Sequence, residues 1–468
     1  RWPTPLAGDS SFGPLDFFAP LGCGSGGSTA LYGAALERLA PADFTPAKNF
    51  ADAAGANLPD AWPIGYDELA PYYDRAELLF RVRGSADPLR PDTGGNLREP
   101  PPLSPRDQDL HDVLSRAGLH PYRVHVGCEF VDGCEECGGT LCPRECKNDA
   151  GRICLVPALE QFGAKLLPEC EVSRIVADDA SVKELRCTWR GSPLSLSAKI
   201  VVLAAGAFMT PILLLNSADE TRPAGLANRS GMVGRNLMLH SGDFMAVRSA
   251  RSLSSVGPKK SLALNDFYFC EGQKLGTIQS VGVSISRANV LEFLHSLFDR
   301  ERRWWMRLTR PLLPLIAFVG ARLFANSAVI CPIVEDLPYA DNRVLPDPSS
   351  HSGMRFEYRY PEELRRRNQL LRRKLTEVLG RWRLAVLTGE NNLNFGHACG
   401  TCRFGDDPQQ SVLDRNNRAH DLDNLYVVDA SFFPSSGGTN PSLTIAANAL
   451  RAADVIHARL APTAKEAR

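Results

Sequence analysis

Neither sign of charge dominates this sequence, whose 468 residues carry 53 Lys+Arg and 53 Asp+Glu. With no basic surplus there is no electrostatic footprint for a phosphate backbone, so nucleic acid is not an expected partner. A chain-wide disulfide framework is also missing: of 13 cysteines, six crowd the stretch from Cys128 to Cys154 and the rest are scattered. The chain reads as mostly reduced, with one local cysteine cluster. No initiator methionine and no charged-then-apolar leader stand at Arg1-Trp2-Pro3, so the expectation is a fragment or processed product without its targeting segment. No internal repeat is visible, and no clean membrane span. The most apolar stretch, 311–330, is broken by Pro314, Arg322 and Asn326, whereas a spanning helix needs about 20 mostly apolar residues. It follows Arg300, Arg302, Arg303, Trp304, Trp305, Arg307 and Arg310. Two readings stay open: a buried element of a substrate domain, or an amphipathic element giving peripheral membrane contact through 300–330. The expected location is accordingly cytoplasmic or peripheral to a membrane.

What is present is enough chain for two domains with full cores. A helix is expected to begin near Tyr66 with Asp67 as its N-cap, since apolar residues recur at Leu69, Tyr72, Tyr73, Ala76, Leu79 and Phe80. Residues 155–162 suit a helix, and 164–177 read as two short strands around Pro168. Residues 199–203 form a short apolar run entering Ala204-Ala205-Gly206, as a buried parallel strand feeding a tight turn would. A helix from Thr210 to Ser217 follows, with Pro211 in its first turn. Between about 236 and 389 the pattern changes to alternating segments, such as 274–286 and 354–360, read as an antiparallel sheet with helices on one side. A basic amphipathic helix is expected over 361–387, a strand over 424–429 and a final helix over 442–460.

Four glycine-marked segments stand in order: GCGSGGSTALYG from Gly22, GAFMTPILLLNS from Gly206, GMVGRNLMLH from Gly231, and a long block from Gly396 to Ile456 holding His397, Asp429 and the pair Asn440-Pro441. Together these resemble the glucose-methanol-choline (GMC) oxidoreductases, with Ala218 standing where glycine is usual. The resemblance runs from about residue 2 to residue 460.

The fold it implies is α/β: a Rossmann-like FAD-binding domain over 1–235 and 391–468, and an α+β substrate-binding domain over 236–390 built on an antiparallel sheet. The family's opening strand, GxGxxG turn and helix are not found from Arg1 onward. The expectation is that they precede Arg1 or are lacking from the protein. The activity implied is oxidation of the CH-OH group of an alcohol or sugar, with FAD as cofactor and an electron acceptor that the sequence does not name. His397 would be the base that takes the hydroxyl proton, and Asn440 would donate a hydrogen bond to the developing alkoxide. By resemblance Gly24, Gly26, Gly27 and Ser28 approach the phosphates and ring. Val172 marks the strand beside the adenine, and Ala205 and Gly206 the turn beneath the cofactor. Asp429 and Ala430 end the strand at the ribityl and pyrophosphate, with Asn440 and Pro441 at the ring. His240 and His420 are left as structural or supporting residues. Two alternatives stand beside this reading: an FAD-binding lyase on the same scaffold, and a truncated, non-catalytic relative.

The cysteine run offers C-x2-C-x4-C-x3-C as Cys134, Cys137, Cys142 and Cys146. Such spacing lets thiolates converge on zinc or an iron-sulfur cluster, with reduced structural cysteines or local disulfides as the alternative. Some sugar dehydrogenases of the resembled family carry a cysteine-rich insertion that relays electrons, which would favour a dehydrogenase over an oxidase. The apolar stretch leans instead toward a lipophilic alcohol.

Overall fold

The computed structural model describes residues 2–50, 53–91, 95–134, 136–282, 285–301, 310–381, 383–388 and 392–461. Arg302, Arg303, Trp304, Trp305 and Arg307 of the basic aromatic flank therefore lie outside the described residues.

Strands β1 (Leu6–Ser10) and β2 (Gly13–Phe17) form a hairpin, and β3 (Tyr122–Arg123) is a short strand far downstream. A meander follows in β4 (Cys170–Ala177), β5 (Val182–Trp189) and β6 (Ser192–Leu196). Thus 170–189 supplies the two strands, and Pro168 precedes both of them. Strand β7 (Val201–Leu203) comes next. The middle of the chain adds β8 (Met245–Arg248), β9 (Leu262–Leu264), the hairpin β10 (Phe269–Cys270) and β11 (Gln273–Lys274), β12 (Gly276–Ser280) and β13 (Ser327–Val334). Then come β14 (Arg343–Pro346), β15 (Met354–Tyr358), β16 (Leu384–Val386) and β17 (Leu425–Val427).

Two arrangements position the site. Strands β7 and β17 pair in parallel, Val201 opposite Leu425 and Leu203 opposite Val427, and these four residues are buried. The larger sheet has the order β16-β8-β13-β12-β9-β3 and is antiparallel throughout. Strand partners cross the expected domain limits: β3 joins that sheet, and β1 pairs in parallel with β15.

The helices depart from the sequence reading where proline and glycine decide. Helix α1 (Tyr66–Leu79) is capped by Gly65, which places Asp67 in the first turn. Helices α2 (Pro105–Arg116) and α3 (Val156–Gln161) follow, α2 capped by the Ser104 hydroxyl. Helix α4 (Gly206–Asn216) starts four residues before Thr210, so Pro211 sits inside it. Helices α5 (Arg287–Glu301) and α6 (Leu313–Leu323) pack on one another. Helix α7 (Glu362–Leu379) ends at Gly380, whose φ of +76° suits glycine, and the chain then turns into β16 rather than continuing helical to 387. Helix α8 (Ser442–Leu460) buries Leu443, Thr444, Ala447, Asn448 and Arg451 at helical spacing against α1, where the Tyr73 hydroxyl meets Thr444 Oγ1 at 2.7 Å.

Two hydrophobic cores result. One centres on the antiparallel sheet and α7. The other surrounds β7, β17, α1 and α8, with Trp62 edge-on to Phe404, Phe432 and Phe433. Among the described residues no helix is long and apolar enough to cross a membrane.

Candidate active site

A cavity of about 1520 Å³ opens between the two cores. Its walls are the glycine turn at 22–33, the start of α4, the ends of β12 and β13, the segment 392–398, and the first turns of α8.

The glycine turn is shaped by close approach. Gly26 has φ of +82°, and a Cβ there would stand 2.7 Å from Asp149 Oδ1. Across the cavity the start of α4 is held by Asp429, which accepts the Gly206 N–H at 3.0 Å, the Ser431 N–H at 2.9 Å and the Thr210 hydroxyl. Its carboxylate is engaged inside the protein, so Asp429 shapes the turn while backbone faces the cavity. Gly26, Gly27, Ser28, Ala205, Gly206, Asp429, Ala430, Asn440 and Pro441 all line this space. Gly24 and Val172 do not: Gly24 only closes the turn through its carbonyl, and Val172 lies in the meander opposite Cys187.

His397 ends a short turn whose geometry is local. The Asn394 side chain caps it by accepting the Gly396 N–H at 3.1 Å, and Phe395 is wedged between Phe17 and Phe356. Its ring stands perpendicular to that of His240, with the two Nδ1 atoms 3.0 Å apart. His240 Nε2 donates to the Gly437 carbonyl at 2.8 Å. Burial pulls His240 down to about 4. Burial, then the neighbouring His240 and Lys260, holds His397 well below the ordinary imidazole range. Both rings are neutral at pH 7.

Asn440 follows a loop anchored at both glycines. The Gly437 N–H donates to Glu335 Oε1 at 3.2 Å and the Gly438 N–H to the Tyr268 hydroxyl at 3.1 Å. A Cβ on Gly438 would stand 2.6 Å from the Tyr268 ring, so only glycine fits. The Asn440 side chain is buried, and its Oδ1 has no partner within the protein.

The cysteine-rich segment forms the neighbouring wall. Cys128 and Cys134 sulfurs lie 3.6 Å apart, Cys134 and Cys146 3.2 Å, Cys142 and Cys146 3.3 Å. Lys147 ties the segment to the glycine turn by donating to the carbonyls of Tyr32, Cys137 and Thr140. The compact trio is Cys128, Cys134 and Cys146, so Cys128 joins the set read from the sequence. Cys137 sits at its edge on the cavity wall, against Cys142.

Sequence reasoning missed the pairing of His240 with His397, although His240 closes the GMVGRNLMLH motif that pointed there. It also passed over Lys260 and Gln279, which line the cavity from the region of weakest resemblance. His420 is structural: its Nε2 meets Ser411 Oγ at 2.9 Å, away from the cavity.

A glycine-lined cavity at the end of a parallel strand pair, closed by an antiparallel sheet and carrying a neutral histidine pair, is the arrangement of a nucleotide-cofactor enzyme. The chain belongs to the GMC oxidoreductase family, whose N-terminal signature matches residues 16–242 and whose C-terminal signature matches residues 364–449. It is 30% identical to paromamine 6'-oxidase of Streptomyces fradiae over 92% of this chain and 78% of that protein. It is 29% identical to 2-methyl-1,2-propanediol dehydrogenase of Mycolicibacterium austroafricanum, covering 93% and 80% of the two chains. Among solved structures, pyridoxine 4-oxidase from Mesorbium loti superposes with a TM-score of 0.63 at 19% identity, over 97% of this chain and 88% of that one.

GMC oxidoreductases bind FAD. The residues fit that group: the glycine turn and the start of α4 present backbone to the cavity, and Asn440 Oδ1 is a buried acceptor in want of a donor.

Proposed function

We propose that this enzyme oxidises the CH-OH group of an alcohol or sugar, with His397 as the base. The observation that carries this reading is the histidine pair. A carbonyl only accepts, so His240 Nε2 carries its hydrogen and His240 Nδ1 is left with a lone pair. His397 Nδ1–H then donates to it, leaving His397 Nε2 as the unprotonated nitrogen. That nitrogen takes the proton of the substrate hydroxyl. Asn440 hydrogen-bonds the oxygen as charge develops on it. Gly26, Gly27, Ser28, Ala205, Gly206, Ala430 and Pro441 would hold FAD, which when bound supplies the acceptor for the carbon's hydride.

The test is the visible spectrum of the FAD-loaded protein with candidate alcohols, without oxygen. Bleaching of the flavin by an alcohol, lost in His397→Ala with flavin still bound, is the expected result. Flavin that no alcohol bleaches overturns the reading.

The same reading takes 1–235 and 391–468 as the FAD-binding domain and 236–390 as the substrate-binding domain, supported by the six-stranded antiparallel sheet, five of whose strands lie within 245–386. Convergence of Cys128, Cys134, Cys142 and Cys146 supports a zinc or iron-sulfur centre beside the cavity. Metal analysis of the purified protein decides it, and two disulfides in place of bound metal would refute it. Peripheral membrane contact is supported by α6, which exposes Leu315, Ile316, Phe318, Val319 and Leu323 along its length. Flotation with vesicles tests that contact.

A further inference from the structure

The cavity wall carries two polar side chains that the reaction chemistry does not use. Gln279, on β12, is 3% exposed, lines the cavity, and has no partner for either its Nε2 or its Oε1. Buried carboxamides are nearly always hydrogen-bonded, so an unpartnered one in the wall of a binding cavity marks a ligand contact. Lys260 enters the same cavity from the segment leading into β9. Its backbone N–H is fixed by Glu136 Oε2 at 2.9 Å, and its Nζ stands 3.2 Å from where a Cβ on Gly33 would be. Gly33 thus leaves room for the ammonium at the cavity wall, within electrostatic reach of His397.

We propose that Gln279 and Lys260 are specificity-determining residues that hold a second hydroxyl of the substrate, making the alcohol oxidised here a polyol or sugar. The proposal rests on the CH-OH oxidation argued above. The chemistry of the pair selects this class. A carboxamide presents one acceptor and two donors, and an ammonium presents donors only. A hydroxyl group meets both side chains, accepting from Lys260 and donating to Gln279 Oε1, and a neighbouring hydroxyl of a polyol accepts from Gln279 Nε2. A carboxylate has no hydrogen for Oε1, and an alkyl chain leaves both Gln279 atoms stranded. A site built to hydrogen-bond a hydroxyl rejects the analogue lacking it far more strongly than an apolar pocket rejects an extra methylene.

The test uses the FAD-loaded enzyme with a reducible dye as acceptor, and compares kcat/KM for hexoses and alditols with that for n-alkanols of equal carbon number and for hydroxy acids. The wild type is expected to prefer the polyols. Gln279→Leu and Lys260→Met are each expected to lower the polyol-to-alkanol ratio by about 10- to 100-fold, the loss that follows from removing one or two hydrogen bonds at a buried site. Flavin content and thermal midpoint are measured alongside, and Gln279→Glu, which keeps the side chain's length, guards against a folding defect in the leucine variant. A wild-type preference for alkanols or for hydroxy acids, or variants in which that ratio is unchanged, overturns the proposal. Failure of the underlying reading looks different: no alcohol of any class would bleach the wild-type flavin.

Discussion

His240 Nδ1 and His397 Nδ1 stand 3.0 Å apart with their rings perpendicular, and the far nitrogen of His240 is pinned on the Gly437 carbonyl. That chain of two hydrogen bonds fixes one tautomer of His397. In the proposed reaction His240 is a positioning residue, and replacing it removes the acceptor without touching the reacting atoms. His240→Leu is expected to lower kcat by about 10- to 100-fold, as loss of a partner that orients a functional histidine does elsewhere. Flavin content should be retained. A variant with unchanged kcat and an unchanged pH profile would remove His240 from this role.

The acid limb of activity follows from the same pair. In the proposed role as base His397 works only when unprotonated, so activity is expected above its pKa and is expected to be lost as pH falls through it. Burial first, then the neighbouring His240 and the Lys260 ammonium, hold that pKa well below 6.5. The acid limb of kcat/KM is expected below pH 6.5, and its appearance above 7 would contradict the buried setting. Stability carries the same sign. A histidine whose folded pKa is depressed takes its proton more readily unfolded, so stability is full above about 6.5. For His240 it then falls as pH drops from there toward about 4.

The parts of this molecule that are set by local chemistry were legible before the structure. The strand into Ala204-Ala205-Gly206 and the final helix from Ser442 follow from periodicity, and a motif names His397 and Asn440, which line one cavity. What escaped was non-local. Lys260 and Gln279 acquire meaning only when β9 and β12 bring distant segments to one wall, and Cys128 joins the thiol set only because its segment folds back on Cys134 and Cys146. Pro211 misled in the other direction. Taken as a helix start, it sits inside α4, whose real start is set by Asp429 holding the Gly206 N–H from across the chain.

In the proposed reaction Asn440 offers a cleaner measure of transition-state help than the histidines, because it carries no titratable proton. Asn440→Ala is expected to reduce kcat by about 100- to 1000-fold, the range for removing one donor to a developing oxyanion. KM should change much less, since the hydrogen bond strengthens as charge appears. Pre-steady-state flavin bleaching reads the step directly. A rise in KM at constant kcat would instead make Asn440 a substrate anchor.

The loop that delivers Asn440 depends on a buried charge set some distance from the reacting atoms. Lys274 sits between Asp43 and Glu335, all three side chains fully buried. Glu335 accepts the Gly437 N–H, and Asp43 accepts the Tyr268 hydroxyl, which in turn accepts the Gly438 N–H. Removing the ammonium leaves two carboxylates without their counter-charge in a dry interior. Lys274→Met is therefore expected to destabilise the protein by about 3–5 kcal/mol. Because the loosened glycines precede Asn440, kcat should fall as well, even at temperatures where the variant remains folded. Denaturant titration reads the first effect and flavin bleaching the second. A folded variant with normal bleaching would show that the triad stabilises the core without holding the loop, whereas loss of both ties the geometry of Asn440 to a lysine that never meets the substrate.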